Sequence, residues 1–246
     1  MRITLNRPEK FNSFNKEMAF AFQAAMDEAA KDKSVRAIYI IGNGKAFCAG
    51  QDLAEAIDPN GPGLKSIVSE HYNPMVSRIR EIPKPVIAAV NGVAAGAGAN
   101  IAFCCDIVVA TASANFIQSF SNIGLVPDSG GTFFLPRLIG NQRATALMLL
   151  ADKVSAAEAL QMGMLYKVFP DDQFATASFD IAKILSERPT KGIALTKKLL
   201  NASMTNDFNA QIKLEGQLQV EAANSYDYKE GVQAFLEKRK PVFKGE

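Results

Sequence analysis

The 246 residues suffice for one large domain, or one domain with an appendage, around a sizeable core. With 48% hydrophobic and 21% charged residues the composition is that of an ordinary globular chain, and a formal net charge of +2 argues against a nucleic-acid face or a polybasic membrane patch. Cys48, Cys104 and Cys105, odd in number and without a CxxC spacing, argue against a disulfide framework or a zinc site. Together with the missing signal peptide they suit a reducing cytoplasm.

Residues 1–5 read as a short strand ending at Asn6-Arg7-Pro8. Residues 15–31 predict a helix with Met18, Phe22, Ala25 and Ala29 on one face. Residues 35–41 (VRAIYII) predict a buried strand, followed by a glycine-bearing loop over 42–50. Gly61-Pro62-Gly63 marks a connection before an amphipathic stretch, 64–82, interrupted near Pro74 and stopped by Pro83 and Pro85.

Residues 85–110 are long enough to span a bilayer. Asn91, Asn100 and above all Asp106 make that reading costly. Strand 86–90, small-residue loop 91–98, helix 99–105 and strand 106–110 fit better. The order strand, small-residue loop, helix thus occurs around 35–56 and again around 86–105, predicting an α/β sheet with ligand sites at loops past strand ends. After about residue 140 the signals are mainly helical, with a strand-like piece at 164–169. Residues 173–238 read as helices broken at Arg188-Pro189.

Two loops invite chemistry: Lys45-Ala46-Phe47-Cys48-Ala49-Gly50-Gln51-Asp52 after a strand, and Asn91-Gly92-Val93-Ala94-Ala95-Gly96-Ala97-Gly98 before a helix. Small residues let a ligand approach the backbone, and two converging N–H donors would form an oxyanion hole. Close packing of helix on sheet would use the same residues. Neither loop is a nucleotide fingerprint, since Ile101 stands where a third glycine would be needed and no GxxxxGK occurs.

Ile3-Thr4-Leu5-Asn6-Arg7-Pro8, the run Ala46 to Leu53, Lys84 to Gly92, Cys105-Asp106, and Gly124 to Thr132 (GLVPDSGGT) resemble, in order and spacing, the signatures of the enoyl-CoA hydratase/isomerase (crotonase) family. The resemblance covers nearly the whole chain. It implies a spiral of repeated ββα units over residues 1–190, a helical trimerisation region over 191–246, and assembly as a homotrimer or a dimer of trimers. It also implies an acyl-CoA substrate, with CoA as part of the substrate and no metal or other cofactor. Carried over by position, the oxyanion donors would be the N–H groups of Ala49 and Ala97. Ala46, Gln51, Asp52, Leu53, Gly96, Asn100 and Phe120 would line the substrate. Family members usually carry a further strand ahead of ITLNRP, where only Met1-Arg2 stand here.

The acids depart from the pattern. Hydratases of the family place glutamates at the positions of Asn100 and Phe120, neither of which exchanges protons near neutral pH. Hydration needs two such groups, so hydratase activity is not expected. Asp128 remains. Locally it suits a helix N-cap before Ser129. In the family frame it matches the catalytic acid of some isomerases carrying VPDSGG, and one carboxylate can move a proton between carbons. Phe116, Phe120, Phe133 and Phe134 are expected to surround it and raise its pKa.

AGAGAN, FIQSF and LVPDSGG together are similar to members that open an epoxidised aromatic ring to an oxepin. Related members shift an enoyl-CoA double bond from position 3 to 2. Rival readings are thioester hydrolysis on the same scaffold and a non-catalytic acyl-CoA-binding subunit. Cys48 is expected to be buried filler, His71 a surface or rim residue, and Lys238 or Arg239 a possible phosphate contact from the C-terminal tail.

Overall fold

The computed structural model describes residues 1–246. Its backbone is a parallel five-stranded sheet with a second, four-stranded sheet beside it. The elements in chain order are β1 (Arg2–Leu5), α1 (Lys16–Lys31), β2 (Ile38–Gly42), β3 (Ala46–Cys48), α2 (Leu53–Ala56), α3 (Gly63–Ser66), α4 (Asn73–Glu81), β4 (Val86–Val90), β5 (Val93–Ala95), α5 (Ala97–Phe103), β6 (Ile107–Thr111) and β7 (Asn115–Ile117). They continue with α6 (Gly131–Ile139), α7 (Asn141–Leu150), β8 (Lys153–Ser155), α8 (Ala156–Met162), β9 (Lys167–Phe169), α9 (Asp171–Ser186), α10 (Thr190–Ser203), α11 (Phe208–Ala223) and α12 (Tyr226–Leu236).

The first sheet has the order β1-β2-β4-β6-β9 and is parallel throughout. β2 and β4 are apolar along their length and buried on both faces, as central strands of a covered parallel sheet must be. β1, at the edge, alternates exposed and buried. On one face Tyr39, Ile41, Ile87, Ala89 and Val109 pack under Phe174 and Ala182 of α9, and the Tyr39 and Ser178 hydroxyls are 2.8 Å apart. The other face carries the main core.

β3, β5 and β7 each follow directly on β2, β4 and β6 and pair with one another in parallel, and β8 closes their sheet antiparallel to β7. The repeating unit is therefore strand, short strand, helix. In the sequence the short strands are hidden within the small-residue loops, because three residues are too few to show a period of two. The stretch 85–110 folds as β4, β5, α5 and β6, and no helix is long and apolar enough to cross a membrane.

Asn15 caps α1, its Oδ1 accepting from the Met18 N–H at 3.0 Å. The buried stripe is Ala19, Phe22, Gln23, Met26 and Ala29, about one position round from the predicted face. The expected interruption near Pro74 is not a break. α3 runs through a π-helical segment, Ile67–Tyr72, directly into α4. The widened turn just before Pro74 absorbs the missing N–H and the ring that would crowd the previous turn.

The C-terminal helices are tied to the core by two cations. Buried Lys197 of α10 donates to Asp106 Oδ2 at 2.7 Å and to the Ile79 carbonyl at 2.7 Å. Arg36 donates to Thr190 Oγ1 at 2.9 Å and to the Phe243 carbonyl at 2.8 Å.

Candidate active site

Past the C-terminal ends of β3 and β5, two loops meet at van der Waals distance. A methyl group placed on Gly50 would sit 3.4 Å from the Ala97 nitrogen, and one on Gly98 only 2.3 Å from the Cys48 carbonyl oxygen. Only glycine fits at Gly98, and that contact holds the start of α5 against the end of β3. A cavity of about 240 Å³ opens beside the junction. Ala49, Gly50, Gln51, Gly96 and Ala97 form its polar floor, with Leu53, Ala56, Leu64, Ile67, Phe120, Ile123 and Leu125 among its apolar walls.

Two backbone donors face no acceptor within the protein. Ala97 is the first residue of α5, so its N–H lies outside the intrahelical ladder. Gln51 forms a parallel bridge with Phe14, in which the Phe14 N–H donates to the Gly50 carbonyl at 2.7 Å and the Asp52 N–H to the Phe14 carbonyl at 2.8 Å. That pattern turns the intervening Gln51 N–H away from the strand partner and leaves it unpaired. The sequence reading named Ala49 as the first donor, and here the structure corrects it. The Ala49 N–H donates to the Phe11 carbonyl at 3.0 Å and is spent inside the fold. Gln51 and Ala97, on the two loops that meet at the cavity, keep unpaired N–H groups.

Asp128 is the only carboxylate on the cavity wall. It is not a helix cap: Gly130, in the left-handed region, is the N-cap of α6, and no side chain caps that helix. The chain reverses through Ser129 at φ 52 and Gly130 at φ 74. Ser129 is buried and pays the strain of a left-handed conformation in a residue other than glycine. The Asp128 backbone carbonyl is held from two sides, accepting from Gly131 N–H at 2.8 Å and from Asn100 Nδ2 at 2.9 Å. The carboxylate is thereby left for the cavity, with one bond, from Ser129 Oγ to its Oδ1, at 2.9 Å. Burial raises the Asp128 pKa above the ordinary aspartate value, partly opposed by that hydroxyl.

The other residues singled out in the sequence divide into two groups. Gln51, Leu53, Gly96, Ala97 and Phe120 line the cavity. Asn100, Ala46 and Asp52 do not: they work beneath or beside it. Asn100 is fully buried, its Oδ1 accepting from Gln118 Nε2 at 2.8 Å while its amide secures Asp128. Ala46 is buried in β3, with its carbonyl accepting from Asn12 Nδ2 at 2.8 Å. Asp52 pairs with Arg7 at 2.8 Å and caps α2.

Of the four phenylalanines expected around Asp128, only Phe120 is on the wall. Phe116 stacks on Phe103 in the core at 5.5 Å, and Phe133 and Phe134 pack edge to face at 5.1 Å. Cys48 is fully buried and its thiol is pushed up to about 12 by that burial, so it is no nucleophile. His71 is not at the surface. It is buried edge-on to Phe20 at 5.4 Å, and burial lowers its pKa. Arg239 is engaged by Glu230 at 2.6 Å and Glu237 at 2.6 Å.

Sequence reasoning missed Tyr72, Ser119, Asn122, Leu64 and Ile67 on the wall. Tyr72 comes from the π-helical turn, which has no sequence mark beyond the proline after it.

Comparison with known proteins decides what this arrangement belongs to. The sequence profile of the enoyl-CoA hydratase/isomerase family matches residues 1–246. The chain belongs to the enoyl-CoA hydratase/isomerase family. It is 46% identical to 1,2-epoxyphenylacetyl-CoA isomerase of Escherichia coli strain K12, covering 100% of this chain and 95% of that protein. It is 45% identical to a Rhodobacter capsulatus protein named "Probable enoyl-CoA hydratase", covering 99% and 93% respectively. A crystal structure of enoyl-CoA hydratase from Bacillus anthracis superposes with a TM-score of 0.95 at 31% identity, covering 100% of this chain and 95% of that one. The two sheets and the helical C-terminal region are thus the crotonase fold, and acyl-CoA is the substrate class of the family.

Proposed function

We propose that the protein is an acyl-CoA isomerase of the 1,2-epoxyphenylacetyl-CoA isomerase type, forming an oxepin-CoA in phenylacetate degradation. The observation that carries this reading is that Asp128 is the one carboxylate on the cavity wall, while Phe120 on that wall and Asn100 beneath it stand at the positions that the family resemblance assigns to the hydratase glutamates. Adding water requires one group for the water and another for the carbon proton. Moving a proton from one carbon to another requires one group that takes it and returns it.

The thioester carbonyl oxygen accepts from the N–H groups of Gln51 and Ala97. Their preorganised dipoles stabilise the negative charge that develops there as the neighbouring carbon loses its proton. Asp128 takes that proton. Its raised pKa suits both halves of the cycle, since a carboxylate too acidic returns protons poorly. For the epoxide, ring expansion breaks the carbon–carbon bond between the two epoxide carbons, its electron pair joining the rearranged ring double bonds while both carbon–oxygen bonds are kept. Asp128 returns the proton to a ring carbon, so that no atom is gained or lost. The apolar wall from Leu53 to Leu125 suits a ring as the acyl group.

A shift of an enoyl-CoA double bond from position 3 to 2 uses the same groups and is the second reading. Product analysis with both substrates, beside the Asp128→Asn variant, tests the proposal against it. Hydrolysis would release free CoA thiol, and a binding-only subunit would hold acyl-CoA without converting it.

The C-terminal helices are proposed to build a homotrimer or a dimer of trimers. Exposed apolar side chains support this, among them Phe208 at 76%, Phe235 at 83% and Leu236 at 69% exposure.

A further inference from the structure

Tyr72 is a polar side chain on the cavity wall that the reaction above does not use. It ends the π-helical turn Ile67–Tyr72, a local widening that re-aims side chains and is frequent at functional sites. The residue is wholly buried, and its ring is fixed edge-on by Phe14 at 6.1 Å. Its hydroxyl is also buried, and no group in the protein accepts from it or donates to it. Burying an unpaired hydroxyl is unfavourable, and phenylalanine would fill the same volume without that penalty.

Tyr72 and Asp128 line the same cavity, and the Asp128 carboxylate takes the Ser129 hydroxyl as its partner. Burial first, then the nearby Cys48, Asp128 and Glu55, hold the phenol in its protonated form, so it is a hydrogen-bond donor. Because Asp128 must reach the acyl carbons, the cavity that Tyr72 shares with it is where the acyl portion of the substrate lies.

We propose that the Tyr72 hydroxyl donates a hydrogen bond to an oxygen carried on the acyl group, making Tyr72 the residue that selects oxygenated acyl-CoAs over plain hydrocarbon ones. This rests on the acyl-CoA reading above and narrows its substrate class. A site built to hydrogen-bond a substrate oxygen rejects the analogue that lacks it far more strongly than an apolar pocket rejects a change of size.

The test compares binding of two ligands that differ by one ring oxygen, phenylacetyl-CoA and 2-hydroxyphenylacetyl-CoA, by calorimetry with the parent protein and Tyr72→Phe. The parent is expected to favour the hydroxylated ligand by about tenfold or more, and the variant to bind both about equally, with phenylacetyl-CoA affinity unchanged. Equal binding of the two ligands by the parent overturns the proposal, whether or not the variant folds. So does a variant that weakens both alike, since the hydroxyl would then serve the thioester or pantetheine common to them. Neither result depends on turnover. Discrimination that Tyr72→Phe abolishes, in a protein that yields no isomer, upholds the role of Tyr72 and overturns the isomerase reading, whereas discrimination that survives in Tyr72→Phe overturns the role of Tyr72.

Discussion

Asn100 Nδ2 donates to the backbone carbonyl oxygen of Asp128 at 2.9 Å, so the residue that the family resemblance aligns with a hydratase glutamate holds the cavity's one carboxylate residue in place. Asn100 is held in turn by Gln118 Nε2 at 2.8 Å.

Asn100→Leu therefore disturbs more than packing. It takes away one of the two donors on the Asp128 carbonyl, leaving the Gly131 N–H, and strands the Gln118 amide, which costs about 1–3 kcal/mol for a buried group. Urea unfolding is expected to show that loss. Steady-state kinetics are expected to show kcat falling further than KM rises, because a displaced Asp128 affects proton transfer more than acyl-CoA binding.

Asp128→Asn is expected to lower turnover by about 100- to 10,000-fold while CoA binding persists. Its stability should move the other way. The folded-state pKa of Asp128 lies above its unfolded value, so the folded protein binds this proton more tightly. Stability is then lost as pH rises from the unfolded value through the folded one. The variant lacks that loss and should melt higher than the parent at neutral pH, with the gap closing as pH falls below the ordinary carboxylate range.

The same shift sets the pH dependence of the reaction. Proton removal needs the ionised form of Asp128, so kcat/KM falls as pH drops through its raised pKa. The acid limb should lie above the value of about 4 expected of an unperturbed aspartate. A profile flat down to that value would show that another group carries the proton.

The backbone donors can be read without turnover. Infrared spectra of bound phenylacetyl-CoA carrying a 13C-labelled thioester carbonyl should show the stretch moved to lower frequency, as two hydrogen bonds polarise it. Gln51→Ala should retain that shift, because its main-chain N–H is the donor. A carbonyl vibrating as it does in water would contradict the Gln51–Ala97 pair.

Gly98→Ala tests the packing that brings the two loops together. Its added methyl would lie 2.3 Å from the Cys48 carbonyl, an overlap that must be relieved by moving α5 off β3. A loss of about 1–3 kcal/mol is expected by thermal unfolding, along with most of the activity.

What the sequence made legible was set by physical scale. The unbroken apolar runs of β2 and β4 and the glycine-bearing loops after them placed the sheet and the site, because burial on both faces leaves a plain mark. The three-residue strands β3, β5 and β7 left none. Asp128 was visible as an acid beside two glycines, but local sequence could not separate a cap from a cavity group. That choice was made by Ser129 and Gly130, whose left-handed backbone turns the chain before α6 begins. The misplacement of the first oxyanion donor at Ala49 has a similar cause. Which N–H of a loop is free depends on the bridge to Phe14, a partner distant in sequence.

Isomerisation of an acyl-CoA by one carboxylate and two backbone donors is the proposed reaction. Its most direct test is mass-spectrometric product analysis with enzymatically generated 1,2-epoxyphenylacetyl-CoA and with 3-enoyl-CoAs, run beside Asp128→Asn. Isomers of unchanged mass are expected, preferentially from the epoxide, and they vanish in the variant. A product heavier by one water, free CoA, or isomers formed equally well without Asp128 would contradict it.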